Sequence, residues 1–204
     1  MSISASDVKA LRDRTGAGMM DCKNALSEAD GDMEKAVETL RVKGQAQAAK
    51  RAGREAAEGV VAPYIHSGGK IGVLVEVNCE TDFVARNDDF QEFAREIALH
   101  IAAADPEYVT ADEIPSEDEH RERGIHQGKA REEGKPDHVI DKIVDGQMAK
   151  WREQVVLLEQ PHVNGDKHDG KTIEQLRAEF AAKTGENVQI TRFARFQVGA
   201  GSGG

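Results

Sequence analysis

Few residues of this 204-residue chain have the type and spacing that chemistry requires. Cys22 and Cys79 could act as nucleophiles, but each lies on an apolar pattern typical of a buried, unreactive thiol. The two cysteines are far apart in the sequence, so they predict neither a disulfide framework nor a zinc site. This cysteine usage suits a reducing compartment, and we expect the protein to be cytoplasmic.

The remaining polar motifs do not indicate catalysis either. Seven histidines show no metal-ligand spacing beside carboxylates or cysteines, and only His66, at a predicted hairpin turn, is kept as a candidate contact. Thr15-Gly16-Ala17-Gly18 resembles a phosphate-binding loop in composition, but it lacks the Gly-Lys-Ser/Thr ending and follows a helical pattern. We therefore predict no metal, no cofactor and no enzyme activity.

The segment around Thr81, Asp82 and Phe83 is the most informative part of the chain. It lies between an alternating apolar run over 71–79 and a helical pattern that begins after Asn87. A local interpretation has Asp82 accepting hydrogen bonds from turn amides while Phe83 packs on the start of the next helix. Asn87 already provides a cap for that helix, so a second interpretation has Phe83 pointing at a partner as a wedge. Both interpretations remain open on local grounds.

Composition limits the partners. The formal net charge of −10 repels phosphate backbones, which argues against direct nucleic-acid binding. No apolar run approaches the ~18 residues of a membrane span, and the first residues lack the features of a signal peptide. Residues 1–60 have balanced charge whereas residues 105–137 are strongly acidic. The first segment is therefore the one free to meet an acidic protein partner.

Helices and a small sheet position these candidate residues. The pattern of these elements predicts an α+β fold. Residues 4–52 predict three short helices in a small bundle, with an exposed connector after Leu40. A hairpin over 59–79 follows, and Pro63 predicts that its first strand lies at an edge or is broken there. An amphipathic helix over 88–104 is expected to cover this small antiparallel sheet.

The rest of the chain predicts further helices and one more strand. Helices at about 116–133 and from about Pro136 form an insertion at about 105–160, and Gly165–Gly170 is predicted to be a polar loop. A helix over 172–184 and a strand over 188–198 complete the pattern. We predict a three-helix module at 1–52, an α+β core domain at 53–198 and a flexible Gly/Ser tail at 199–204.

Two long segments resemble the elongation factor Ts family. Residues 11–26 (Leu-Arg-Asp-Arg-Thr-Gly-Ala-Gly-Met-Met-Asp-Cys-Lys-Asn-Ala-Leu) resemble its amino-terminal segment, and residues 76–86 (Glu-Val-Asn-Cys-Glu-Thr-Asp-Phe-Val-Ala-Arg) resemble its second hallmark segment. Val155–Pro161 and Arg192–Phe196 look like its carboxy-terminal part. The resemblance runs from about Ser4 to Val198, so it covers nearly the whole chain.

The resemblance implies a guanine nucleotide exchange factor for elongation factor Tu. Residues 4–52 would be a ubiquitin-associated-like module that docks on the partner GTPase. A segment matching Thr81, Asp82, Phe83 and Val84 would disturb the partner's magnesium site, with Phe83 as the wedge, and so promote GDP release. The docking positions that the resemblance implies are Leu11, Arg12, Gly16, Met19 and Met20. We add His66 as a candidate docking position.

The chain resembles the short members of the family, which have one sheet-containing unit. It would then pair with itself to present a full surface, and the last strand is the candidate homodimer interface. Ala194 stands where some short members have a cysteine, so pairing cannot use a disulfide there. Two other classes stay open: a ubiquitin-associated-type binding module without exchange activity, and a thiol-dependent enzyme using Cys22 or Cys79.

Overall fold

The computed structural model describes residues 3–15, 17–51 and 53–200. In this described part the chain has the predicted α+β architecture, with a three-stranded antiparallel sheet and nine α-helices. The strands are β1 (Glu58–Ile65), β2 (Ile71–Cys79) and β3 (Gln189–Gln197). The helices are α1 (Ala5–Thr15), α2 (Met19–Glu28), α3 (Met33–Arg51), α4 (Asp82–Ala85), α5 (Asp88–Ala104), α6 (Ser116–Glu132), α7 (Asp137–Val155), α8 (Gly165–His168) and α9 (Ile173–Thr184).

The first three helices form the predicted bundle. The Ser4 side chain accepts a hydrogen bond from the Asp7 amide, and Asp32 caps α3 by accepting from the amides of Glu34 and Lys35. One buried apolar cluster holds the bundle together; it consists of Val8, Leu11, Cys22, Ala25, Leu26, Ala29 and Ala36. These side chains lie at the helical spacings that the sequence shows.

The third helix differs from the prediction. The segment after Leu40 was predicted to be an exposed connector, whereas α3 continues as helix to Arg51. The extension is rich in alanine, glutamine, lysine and arginine, which have the highest helix propensities. A helix in this segment therefore does not require a large buried face.

The sheet has the order β1–β2–β3, so β2 is the central strand. Its side chains alternate, with Val73, Val75 and Val77 buried and Leu74 exposed. Strand β1, which contains Pro63, runs unbroken from Glu58 to Ile65 at the edge of the sheet, so the predicted edge strand is confirmed. The sheet is tied to α5 at β3, where the Arg195 guanidinium donates to the Ala102 carbonyl over 3.3 Å.

Two of the later helices pack as a hairpin. The predicted seam of α7 contributes Ile140, Val144 and Met148 to a small core, and α6 contributes only Ala130. The polar segment predicted as a loop at Gly165–Gly170 contains one helical turn, α8. The Asn164 side chain caps that turn by accepting from the Lys167 amide, which a polar composition alone does not reveal.

The chain divides into two compact units. One contains Met1–Val60, Val77–Gln91 and Gln175–Gln189, and the other contains Val61–Glu76, Glu92–Glu174 and Ile190–Gly204. The functional modules predicted at 1–52 and 53–198 stay a prediction. In the described part of the chain, no helix has the length and apolarity needed to cross a membrane.

Candidate partner-binding site

The turn between β2 and α5 is a single helical turn, α4 (Asp82–Ala85). Thr81 has extended backbone angles and caps it, with its hydroxyl oxygen accepting from the Val84 amide over 3.4 Å. The carboxylate of Asp82 instead lies 3.2 Å from the Arg86 guanidinium. The local interpretation of Asp82 as the residue that accepts from the turn amides is therefore wrong, because Thr81 does this.

Phe83 projects from this turn into solvent. It is 85% exposed, the highest value among the large exposed apolar side chains of the described residues. The start of α5 is packed by Phe90, which is fully buried and meets Phe180 edge-on at 5.9 Å between ring centroids. The local interpretation of Phe83 as a staple for α5 is therefore wrong, since Phe90 fills that role and Asn87 caps the helix by accepting from the Asp89 amide.

The carboxylate of Glu186, which is distant in the sequence, accepts hydrogen bonds from the start of the turn. Helix α9 ends at Thr184, and Gly185 follows with a positive φ of 77°, which directs the chain back and places Glu186 next to the turn. One carboxylate oxygen of Glu186 accepts from the amides of Glu80 (3.0 Å) and Thr81 (3.1 Å). The other accepts from the Thr81 hydroxyl over 2.6 Å.

The neighbouring residue extends this network to the end of the helical bundle. The Asn187 amide donates to the Glu80 carboxylate over 2.6 Å, and the Asn187 side chain donates to the Arg54 carbonyl over 2.8 Å. Arg54 also lies 3.4 Å from Glu80. Sequence reasoning missed Glu186 and Asn187, because nothing local in Gly185-Glu186-Asn187 indicates that they contact a turn 105 residues away.

The five predicted docking positions near the start of the chain fall into three groups. Met19 (50% exposed), Met20 (63% exposed) and Arg12 present side chains to solvent on α1 and α2. Leu11 is fully buried in the bundle core, so it offers no contact surface and can act only by supporting its neighbours. Gly16 lies outside the described residues.

His66 belongs to the hairpin between β1 and β2, in the other compact unit. It is exposed, and its Nδ1 lies 3.1 Å from the Tyr64 hydroxyl. His66 is therefore accessible to a partner.

Both cysteines are free and buried, as the sequence predicted. Burial raises the pKa of the Cys22 thiol, and burial followed by the nearby Glu186 carboxylate raises the pKa of Cys79 to about 11. A nucleophilic cysteine needs a lowered pKa and access to solvent. Neither thiol meets those conditions, so the structure disfavours the thiol-enzyme alternative.

One cluster with metal-binding residue types escaped the sequence analysis. Side-chain atoms of Glu96, His162 and His168 lie within 4.8 Å of one another, although 66 residues separate the first two. The Nδ1 of His162 accepts from the Asn164 amide over 3.1 Å, so the neutral ring carries its proton on Nε2, which faces the Glu96 carbonyl. That nitrogen has no lone pair to offer a metal.

The same cluster already contains its own positive charge. The Lys167 ammonium lies 2.9 Å from the Glu96 carboxylate, and His168 lies 3.3 Å from its other oxygen. Burial is the largest influence on the pKa of His162 and lowers it, which keeps the ring neutral. The cluster is therefore explained by hydrogen bonds and an ion pair, without a metal.

The α+β fold presents a candidate protein-binding surface. Its distinguishing features are a braced turn that exposes one aromatic side chain and a helical bundle that exposes two methionines. Aromatic and methionine side chains are enriched at protein interfaces.

Comparison with known proteins specifies the family. Residues 19–200 match the family model described as "Elongation factor TS". The chain is 56% identical over 201 residues to elongation factor Ts of Geobacter sulfurreducens, covering 98% of this chain and 92% of that protein. It is 57% identical over 199 residues to elongation factor Ts of Carboxydothermus hydrogenoformans, covering 98% of this chain and 90% of that protein. The chain belongs to the elongation factor Ts family and has a role in translation elongation.

Proposed function

We propose that this protein is the guanine nucleotide exchange factor of elongation factor Tu, binding its GDP-loaded form and promoting GDP release. The observation that carries the proposal is the 85% exposure of Phe83 on a turn that is capped by Thr81 and hydrogen-bonded to Glu186. A rigid exposed aromatic can enter a pocket with little loss of conformational entropy. The protein changes no covalent bond in this role, so it is not an enzyme.

Docking precedes displacement in the mechanism. Arg12, Met19 and Met20 bind the GTPase surface, and the buried Leu11 supports the helices that carry them. Gly16 is a further docking position that the family resemblance implies. His66 is a further contact from the hairpin. The bundle and the turn belong to the same compact unit, so docking through α1 and α2 also brings the turn to the partner.

The turn then weakens the nucleotide site. Phe83 enters near the partner's magnesium, while Thr81, Asp82 and Val84 shape the inserted segment. GDP is held largely by magnesium and by backbone amides around its phosphates, so moving those groups loosens it. The factor must bind the nucleotide-free GTPase more tightly than the loaded one, and each tenfold loosening of GDP requires about 1.4 kcal/mol of that difference. By linkage, incoming nucleotide expels the factor in turn.

The test is release of a fluorescent GDP analogue from purified elongation factor Tu. Adding this protein should accelerate release in the presence of excess unlabelled nucleotide. Binding to elongation factor Tu without acceleration would instead support the alternative of a ubiquitin-associated-type module with no exchange role. We place this activity in the cytoplasm, with no direct nucleic-acid or membrane partner.

We further infer that a second copy of the chain is a partner. One face of the sheet exposes apolar side chains on all three strands or beside them, around a shallow hollow; they are Val61, Ile65, Leu74, Phe196 and Val198. The Arg192–Glu76 ion pair (2.7 Å) joins β3 to β2. A two-fold pairing buries such a self-complementary face, and each arginine can then meet the glutamate of the other copy.

A further inference from the structure

We propose that Glu186 is a positioning residue for nucleotide exchange, holding the Thr81–Val84 turn in the conformation that presents Phe83. The inference rests on the proposed exchange function and deepens it. It assigns Glu186 a task that depends on geometry, because this side chain lies behind the turn and contacts its backbone.

The first step of the argument is the number of groups that one carboxylate holds. Glu80 and Thr81 follow the last residue of β2, where the strand ladder has ended, so their amides need another acceptor. Glu186 accepts from both amides and from the Thr81 hydroxyl, at 3.0, 3.1 and 2.6 Å. Hydrogen bonds to an ionised acceptor are among the strongest in proteins.

The second step connects this contact to Phe83. Helix α4 has only four residues, and one helical turn is not stable by itself in water. Its direction follows from its cap, Thr81, whose hydroxyl donates to Glu186 and accepts from the Val84 amide. Phe83 lies two residues beyond the cap, so rotation of Thr81 moves the aromatic ring.

The third step concerns how Glu186 itself is held. Gly185 follows the end of α9, and its amide donates to the Ala181 carbonyl over 3.0 Å, while the Glu186 amide donates to the Thr184 hydroxyl oxygen over 3.4 Å. The next residue, Asn187, is buried and bonds to Glu80 and to the Arg54 carbonyl. The carboxylate is therefore mounted on an anchored segment and can fix the turn.

Mutation of Glu186 separates positioning from a general structural role. We expect Glu186→Ala to lower the maximal rate of GDP release by about tenfold or more, since small misplacements of a working group cost that much. The factor concentration needed for half-maximal release should change much less, because the bundle contacts are intact. Glu186→Gln keeps the shape and one acceptor oxygen and should restore most of the rate. Asp89→Asn is the matched control, since it removes an exposed ion pair with Lys183 in the same unit.

A double-mutant cycle with Phe83→Ala provides the decisive readout. If Glu186 acts by presenting Phe83, Glu186→Ala should cause no further loss of rate in the Phe83→Ala background. An equal fold-loss in both backgrounds, or a wild-type rate for Glu186→Ala, would overturn the inference. Should Glu186→Ala fail to fold, the same cycle is run with Thr81→Val, which removes the hydroxyl that contacts Glu186.

Amide hydrogen exchange of the free protein distinguishes this inference from the proposed function. Glu186→Ala should speed exchange at Thr81 and Val84 without any partner present. If amide hydrogen exchange is faster in Glu186→Ala but the wild-type protein does not accelerate GDP release, the proposed nucleotide-exchange function is refuted while the positioning contact is supported. If Glu186→Ala leaves the protection of these amides unchanged and the wild-type protein accelerates GDP release, only the positioning role is refuted.

Discussion

Replacing Phe83 with alanine should separate exchange activity from stability. Fully burying a phenylalanine side chain is worth about 1.5–3 kcal/mol, and Phe83 is 85% exposed, so nearly all of that gain is available to a partner. Scaling by the exposed fraction gives about 1.3–2.6 kcal/mol. If the ring is buried only in the nucleotide-free complex, GDP release should slow by about 8- to 70-fold. The free energy of unfolding should change by less than about 0.5 kcal/mol, because the side chain makes few contacts within the chain.

The assay pairs stopped-flow release of fluorescent GDP with urea unfolding of the same preparations. Ile125→Ala on α6 is a matched control, since it also truncates an exposed apolar side chain but lies outside the turn. Phe83→Leu should have an intermediate effect, because it keeps part of the apolar area. A loss of stability with an unchanged release rate would refute the wedge, and so would an equal loss of rate in Ile125→Ala.

Three further predictions concern other parts of the chain. The double substitution Cys22→Ser and Cys79→Ser should retain GDP release, and both native thiols should react slowly with a thiol reagent at pH 8; full loss of exchange in a folded double mutant would revive a thiol mechanism. Burial lowers the pKa of His100 from 6.5 to about 4. Between pH 6.5 and pH 4 this side chain is therefore protonated in the unfolded chain but neutral in the folded one. Stability from this group should be complete above about pH 6.5 and fall by about 3 kcal/mol towards pH 4, and urea unfolding at pH 7.5, 6 and 5 would contradict this if it gave a flat profile. Light scattering should show a dimer for the wild-type protein and a monomer for Phe196→Glu. Val163→Glu, which lies outside the sheet face, should remain a dimer. A monomeric wild type would refute the pairing.

The sequence predicts the elements well where periodicity is strong. Helix α5 and strand β2 begin and end within a residue of their predicted bounds, because their apolar stripes have clear periods. The end of α3 could not be predicted in this way, since the sequence after Leu40 has no apolar period and its residue types favour a helix only through propensity. The exposed aromatic turn was also recognisable, because Phe83 falls outside both periodic patterns.

The residues that hold the turn could not be predicted from the sequence. Glu186 reaches Thr81 only because the fold brings two segments together that lie 105 residues apart. The same applies to Glu96 and His162, whose contact depends on the packing of the other compact unit. A single sequence reports local periodicity, whereas such contacts depend on tertiary register.

The exposure of Phe83 bears on the role of the turn that carries it. In helix α4 the small side chain, Ala85, is buried, whereas the large one, Phe83, is exposed. An exposed ring contributes little to folding, yet Glu186 accepts three hydrogen bonds beside it and Thr81 caps the turn that carries it. Departures from local rules that the surrounding structure supports are expected at functional sites. We therefore expect the loss on removing Phe83 or Glu186 to appear in nucleotide exchange before it appears in stability.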